Sequence, residues 1–202
     1  MSREPIKIVV SGPVGAGKTT LIGALSQVGV VNTDAPASEC IGKATTTVAL
    51  DFGMIEVDGW QIHLYGTPGQ ERFDFMWEVL CHGAAGLLML VAGNSPRDFP
   101  KARNILEFVT TQVALPYLIG VTKLDLGRAW EPDEIAAFFG VGPAGVLGVD
   151  ARDRSQGFGA LVKLFGLMGA VSEGDRARPM ATGAKQKTTK KGETEIWRRQ
   201  NN

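Results

Sequence analysis

The sequence predicts an α/β fold, with a mostly parallel six-stranded sheet, one antiparallel hairpin pair and helices on both faces. Three observations carry that expectation. Short apolar and β-branched runs alternate with helical stretches along the chain, the pattern of a parallel sheet covered on both sides. Asp58-Gly59 lies between two apolar segments, a two-residue hairpin signal that supplies the antiparallel pair. A chain of 202 residues, 44% hydrophobic and 21% charged, buries a core of useful size and is not disordered throughout.

Ile6 to Val10 is a β-branched run and reads as a buried strand. Ser11 to Gly17 is a glycine-rich loop, and Lys18 to Val28 follows as a helix with Leu21, Leu25 and Val28 on one face. Gly29 to Thr47 lacks periodicity and is interrupted by Asn32, Asp34, Pro36 and Gly42. It reads as a long loop, which in a compact domain is usually functional. Val48–Val57 and Trp60–Tyr65 form the hairpin strands. Gly86–Ala92, Tyr117–Val121 and Gly145–Val149 supply three more strands, with helices expected near Pro100–Gln112, Glu131–Phe139 and Phe158–Val171. After about Ser172 the apolar pattern stops, so residues 1–171 read as one domain and 172–202 as a flexible basic tail.

The charge balance is uneven along the chain. Overall, 21 Lys and Arg face 21 Asp and Glu, which argues against a protein that coats nucleic acid by bulk charge. The tail carries eight of the basic and four of the acidic residues, leaving 13 basic and 17 acidic in the rest. A mildly acidic domain therefore precedes a basic arm suited to weak peripheral contact with an acidic partner or anionic lipid. Two cysteines, Cys40 and Cys81, fit a reducing compartment better than a disulfide framework. The longest apolar run, Ala84 to Ala92, is far short of the ~20 residues that span a bilayer. The first residues lack a signal-peptide core, Ser2 stands where myristoylation needs glycine, and the last residues carry no prenylation box. A cytoplasmic location is the expectation.

Gly12-Pro13-Val14-Gly15-Ala16-Gly17-Lys18-Thr19 matches G-x-x-x-x-G-K-[ST] between a strand and a helix, the context this phosphate-binding loop requires. Glycines let successive backbone N–H groups turn inward around a β-phosphate at the positive end of the helix. Lys18 is expected to bridge the β- and γ-phosphates, and the Thr19 hydroxyl to bind Mg²⁺. Gly12, Val14, Gly15, Ala16, Gly17, Lys18, Thr19 and Thr20 are the candidate binding residues of this loop.

Thr122-Lys123-Leu124-Asp125 follows an apolar strand and resembles the guanine-reading [NT]-K-x-D box of the Ras-like small GTPase superfamily. The resemblance implies a P-loop NTPase G domain from Ile6 to about Val171. A carboxylate at this strand end accepts two hydrogen bonds from guanine N1–H and the 2-amino group. Adenine lacks both donors and would leave a buried Asp125 unpaired. By the same resemblance the Lys123 stem lies along the base. Asp150-Ala151-Arg152 resembles the S-A-K loop, whose alanine N–H meets guanine O6, with Asp in place of Ser and Arg in place of Lys.

Gly66-Thr67-Pro68-Gly69-Gln70-Glu71-Arg72-Phe73 resembles D-x-x-G-Q-E-R-F, the opening of switch II. Gly69 N–H is then expected at the γ-phosphate, with Gln70 orienting the attacking water as a catalytic residue beside Lys18. The acidic residue that holds Mg²⁺ indirectly is Gly66 here, and Pro68 stiffens the turn. Both departures resemble a bacterial branch related to the MglA gliding-motility and polarity GTPases, and imply weaker Mg²⁺ retention. For switch I, Thr47-Val48-Ala49-Leu50-Asp51-Phe52 best matches the T-[IV]-G-x-D-F-like stretch. Thr47, with Thr46 in reserve, is therefore the second metal ligand beside Thr19.

The resemblance implies a molecular switch that binds GTP and GDP with Mg²⁺. Val14 crowds the place of the catalytic glutamine and Gly29–Thr47 holds no arginine finger, so hydrolysis is expected to be slow and partner-assisted. Partners implied are a Roadblock-fold regulator or another activator, and effectors met through switch I and switch II. The apolar run Phe73, Phe75, Met76 and Trp77 reads equally as sheet packing or as a partner surface. His63 reads as a strand-face residue, and the His82–Cys81 pair lacks further ligands at metal spacing. Two rivals stand beside this reading: a pseudo-GTPase that holds nucleotide without turnover, and an ATP-dependent P-loop enzyme.

Overall fold

The structure is a computed structural model that describes residues 4–29, 31–33, 50–68 and 79–176. Its strands are β1 (Ile6–Ser11), β2 (Val31–Thr33), β3 (Leu50–Val57), β4 (Trp60–Gly66), β5 (Gly86–Ala92), β6 (Tyr117–Thr122) and β7 (Val146–Gly148). The helices are α1 (Lys18–Leu25), α2 (Phe99–Gln112), α3 (Pro132–Phe139) and α4 (Arg154–Arg176). One sheet contains all seven strands in the order β2-β3-β4-β1-β5-β6-β7.

The expected α/β class and hairpin are present. β1 pairs in parallel with β4 and β5, and β6 pairs in parallel with β5 and β7. The Asp58-Gly59 turn joins β3 to β4, with both residues at positive φ (50° and 76°) as a tight hairpin turn demands. Val57 then faces Trp60, and the pairing runs back to Asp51 opposite Gly66. A seventh strand is added where a loop was expected. Residues 31–33 lie antiparallel to β3, with Val31 opposite Phe52. Three residues are too few to show a period, so pairing rather than local pattern makes this strand.

Alternation within the central strands divides the core in two. Ile8 and Val10 face α1 and α4, packing with Leu21, Leu25, Leu161 and Leu164. Val9, Leu87 and Met89 face the other way, against Phe99, Ile105 and Val109 of α2 and Ile135 of α3. All seven residues of β5 are buried, which explains its unbroken apolar sequence.

Helix boundaries shift for chemical reasons. α1 ends at Leu25 because the Ser26 hydroxyl donates to the Val28 carbonyl and accepts from the Met54 amide, drawing the chain away from the helix. α3 opens with a capping box between Glu131 and Glu134 and closes on Gly140 at φ 68°. α4 starts earlier than expected, because the Asp153 carboxylate accepts from the Ser155 and Gln156 amides and caps it. It continues to Arg176, beyond the expected domain boundary at 171. Residues 177–202 lie outside the described residues.

Candidate functional site

Five strand ends bring the candidate residues together. The segments leaving β1, β4, β5, β6 and β7 emerge at the carboxyl edge of the sheet, where doubly wound α/β folds bind ligands. β1 lies at the centre, so its following loop sits where connections diverge to either side.

That loop is shaped by its glycines. Gly12 has φ 143°, and a Cβ there would stand 2.2 Å from the Leu90 carbonyl oxygen. Gly17 has φ 97° and is the N-cap of α1. A Cβ on Gly17 would come within 3.2 Å of Ala151 Cβ, so the β1 and β7 loops touch at this point. With no side chain to cap α1, its first amide groups are available to an anion.

Lys18 is 8% exposed. Its ammonium donates to the Gly12 and Pro13 carbonyls at 2.7 and 2.8 Å, so the side chain curls back over the loop. Burial lowers its pKa to about 8, against the opposing pull of Asp51. Val14 points outward at 65% exposure. With Gly15, Asn94, Arg97, Asp98 and Lys123 it lines a cavity of about 530 Å³ beside the loop.

The residues of the segments that follow β6 and β7 also converge. Gly17, Thr20, Thr122, Lys123, Asp125, Asp150, Ala151 and Arg152, with Leu126, line one cavity of about 180 Å³. Thr122 is 1% exposed, and its hydroxyl donates to the Ala16 carbonyl at 2.8 Å. It therefore anchors the phosphate loop, a task its sequence motif did not reveal. Lys123 sits at φ 59°, a conformation that non-glycine residues seldom adopt outside sites that over-determine it.

Asp125 and Asp150 share Arg152. The guanidinium donates to Asp125 at 2.9 Å and to both Asp150 oxygens at 2.9 and 2.8 Å. The Asp150 side chain also accepts the Arg152 amide, and these bonds hold its pKa down to about 2. Gln156 accepts the Asp150 amide and donates to Asp153. The cap of α4 thus fixes the loop that carries Ala151.

Around α1, Thr19 Oγ1 donates to Asp51 Oδ2 at 2.6 Å. Sequence reasoning missed Asp51 as a site residue. Counting strand positions back from the Asp58-Gly59 turn would have placed it opposite Gly66. Behind it, the Ser11 and Thr67 hydroxyls meet at 2.8 Å in a buried hydrogen bond, and the Thr67 amide donates to the Val10 carbonyl. These bonds secure the start of the segment read as switch II. Thr47, with its reserve Thr46, and Gly69 and Gln70 lie outside the described residues, as do Arg72, Phe73, Phe75, Met76 and Trp77.

Of the other singled-out residues, His63 packs edge-on against Phe52 at 5.4 Å between ring centres, as a strand-face residue should. The His82 carbonyl accepts from Lys7, and burial raises the pKa of the Cys81 thiol. The Thr19 hydroxyl, oriented by the Asp51 carboxylate, is a hard oxygen donor suited to Mg²⁺ bound with phosphate oxygens and water. The residues present thus fit this ion.

A glycine-rich anion cradle at a helix N-terminus, set in the crevice of a doubly wound sheet, defines a P-loop nucleotide-binding protein of the NTPase class. The chain belongs to the family described as "Conserved hypothetical ATP binding protein", whose model matches residues 30–147. It is 31% identical over 128 residues to an uncharacterized protein of Methanocaldococcus jannaschii, covering 63% of this chain and 75% of that one. It is 33% identical over 132 residues to an elongation factor G-like protein of Mycobacterium tuberculosis, covering 60% of this chain but 18% of the relative. ADP-ribosylation factor-like protein 8c of Arabidopsis thaliana is 24% identical over 132 residues, covering 65% of each chain.

Proposed function

We propose that this protein is a small GTP-binding molecular switch that hydrolyses GTP with water to GDP and phosphate. The observation that carries the reading is the shared cavity in which Asp125 and Ala151 meet beside Gly17 of the phosphate loop. One carboxylate and one backbone amide there match the hydrogen-bonding edge of guanine and find no counterpart on adenine. The family description names ATP, while similarity to an ADP-ribosylation factor-like protein and an elongation factor G-like protein supports the guanine reading.

In this reading the loop amides from Gly12 to Thr20 hold the phosphates, and Lys18 exchanges its two carbonyl acceptors for phosphate oxygens. Thr19 and Thr47 would hold Mg²⁺, which neutralises charge developing on the phosphoryl oxygens. Gly69 would present its N–H to the γ-phosphate, and Gln70 would orient the attacking water. Unassisted turnover is slow, on the order of 10⁻⁴ s⁻¹ as in other small GTPases without an activator. The partners proposed are a Roadblock-fold regulator of the kind found with MglA-type GTPases, or another activator, and effectors that read the switches. Residues 177–202, which follow α4, are proposed as a basic tail making weak contacts with acidic partners or lipid, on a cytoplasmic protein acting in bacterial signalling or polarity.

Competition of GTP and ATP for a fluorescent guanine nucleotide tests the assignment. GTP should displace the probe at concentrations at least ~100-fold below ATP, and Asp125→Asn should move preference toward xanthine nucleotides. Equal competition by ATP would overturn it. One observation favours a second reading, a nucleotide-holding module with negligible turnover: the exposed Val14 side chain at the mouth of the phosphate loop. Single-turnover assays of wild type and Gln70→Leu, with and without candidate activators, separate the two, because only an enzyme loses rate on that substitution.

A further inference from the structure

Gly66 and Asp51 occupy opposite positions in the antiparallel β3–β4 pair. A Cβ added to Gly66 would lie 2.9 Å from Asp51 Cβ and 3.2 Å from Asp51 Oδ2, with Ile22 Cδ1 also at 2.9 Å. The place of a side chain at 66 is therefore already filled, and a carboxylate fills it. Asp51 reaches Thr19 from there, accepting the hydroxyl proton at 2.6 Å. With its proton committed to Asp51, the Thr19 oxygen keeps its lone pairs for a cation.

We propose that Asp51 is the Mg²⁺-retaining carboxylate of this protein, transferred across the hairpin from the strand position occupied by Gly66. Its role is to orient the Thr19 hydroxyl and to place a negative charge beside the cation, without being a direct ligand. The glycine at 66 is the complement of this transfer, since two side chains cannot share the space. Asp51 thereby removes the reason to expect weak Mg²⁺ retention. The proposal rests on the nucleotide-binding reading and names the group that secures its metal.

The test is the release rate of a fluorescent GDP analogue from the full chain, measured across a Mg²⁺ titration and in EDTA. Asp51→Asn keeps the shape and an acceptor for Thr19 while removing the charge. It should raise the Mg²⁺ concentration that half-maximally slows release by ~10–100-fold. The paired variant Asp51→Gly with Gly66→Asp returns a carboxylate to the shared space from the other strand. It should recover Mg²⁺ dependence to within about threefold of wild type, well inside the loss expected for a missing outer partner. Far-UV circular dichroism and thermal melts establish that each variant is folded.

A folded Asp51→Asn protein with an unchanged Mg²⁺ midpoint would overturn the proposal and leave nucleotide binding intact. A folded paired variant that behaves like Asp51→Asn would overturn the transfer of the site. Wild-type protein that takes up no guanine nucleotide would remove the binding reading, and this proposal with it.

Discussion

The Thr122 hydroxyl donates to the Ala16 carbonyl at 2.8 Å across 106 positions of sequence, tying the end of β6 to the phosphate loop. The bond is buried, and Gly17 packs close enough that an added Cβ would reach Thr122 Cγ2 at 3.8 Å. The end of β6 and the phosphate loop are thus one mechanical unit. Thr122→Val preserves shape and removes the donor. It should cost about 1–2 kcal/mol, lowering the melting temperature by roughly 2–8 °C for a chain of this size, whereas Thr122→Ser should stay near wild type. Nucleotide affinity should fall with Val and be retained with Ser, measured by calorimetry.

Two glycines of the loop should respond differently to alanine. At Gly12 the added methyl meets the Leu90 backbone oxygen at 2.2 Å, while at Gly15, with φ 80°, it meets nothing within 4 Å. Gly12→Ala should therefore destabilise by about 2–4 kcal/mol, since backbone must move. Gly15→Ala should cost about 1 kcal/mol from conformation alone. Denaturant melts of the nucleotide-free proteins order the two variants.

These contrasts mark what could be read from sequence. The strand, loop and helix from Ile6 through Thr19 were legible because their signals are local: an apolar run, fixed glycines, then helical spacing. Thr122, Lys123, Asp125 and Ala151 were legible as a set because their motifs follow predicted strands. β2 was not, since residues 31–33 become a strand only through Val31 opposite Phe52. The start of α4 was hidden by Gly157 and Gly159, which weaken local propensity while Asp153 supplies the cap. Asp51 was hidden because its position at Thr19 depends on hairpin register and on the small residue opposite.

Arg152 supplies a third prediction. Its guanidinium occupies Asp125 Oδ2 while also bonding Asp150. A guanine that uses Asp125 must compete with it. Arg152→Ala should accelerate association of a fluorescent guanine nucleotide about two- to fivefold in stopped flow, an effect shrinking at high salt as expected for exposed ion pairs. The melting temperature should hardly move, because all three side chains are substantially solvated. Unchanged association at low salt would show that the Arg152 contact does not obstruct the base.

Lys18 gives the protein a pH signature. Its folded pKa is lowered to about 8 from 10.5, with burial the dominant cause. In nucleotide-free protein kept in EDTA, the unfolded chain holds more protons than the folded one between those values. Folding stability should therefore rise with pH through that window. The charged ammonium is the destabilised form, so the penalty is fully present below about pH 8 and gone above 10.5. Lys18→Met has no such titration. The stability difference, wild type minus Lys18→Met, should rise by about 2–3 kcal/mol between pH 7.5 and 10.5. Phosphates reverse the preference, because they favour the ammonium. Affinity of wild type for GDP should then fall as pH rises above 8, by up to about tenfold per unit, with Lys18→Met flat over the same range. Paired urea melts and fluorescence titrations at each pH measure both slopes, and a flat wild-type stability difference would contradict a buried, depressed Lys18.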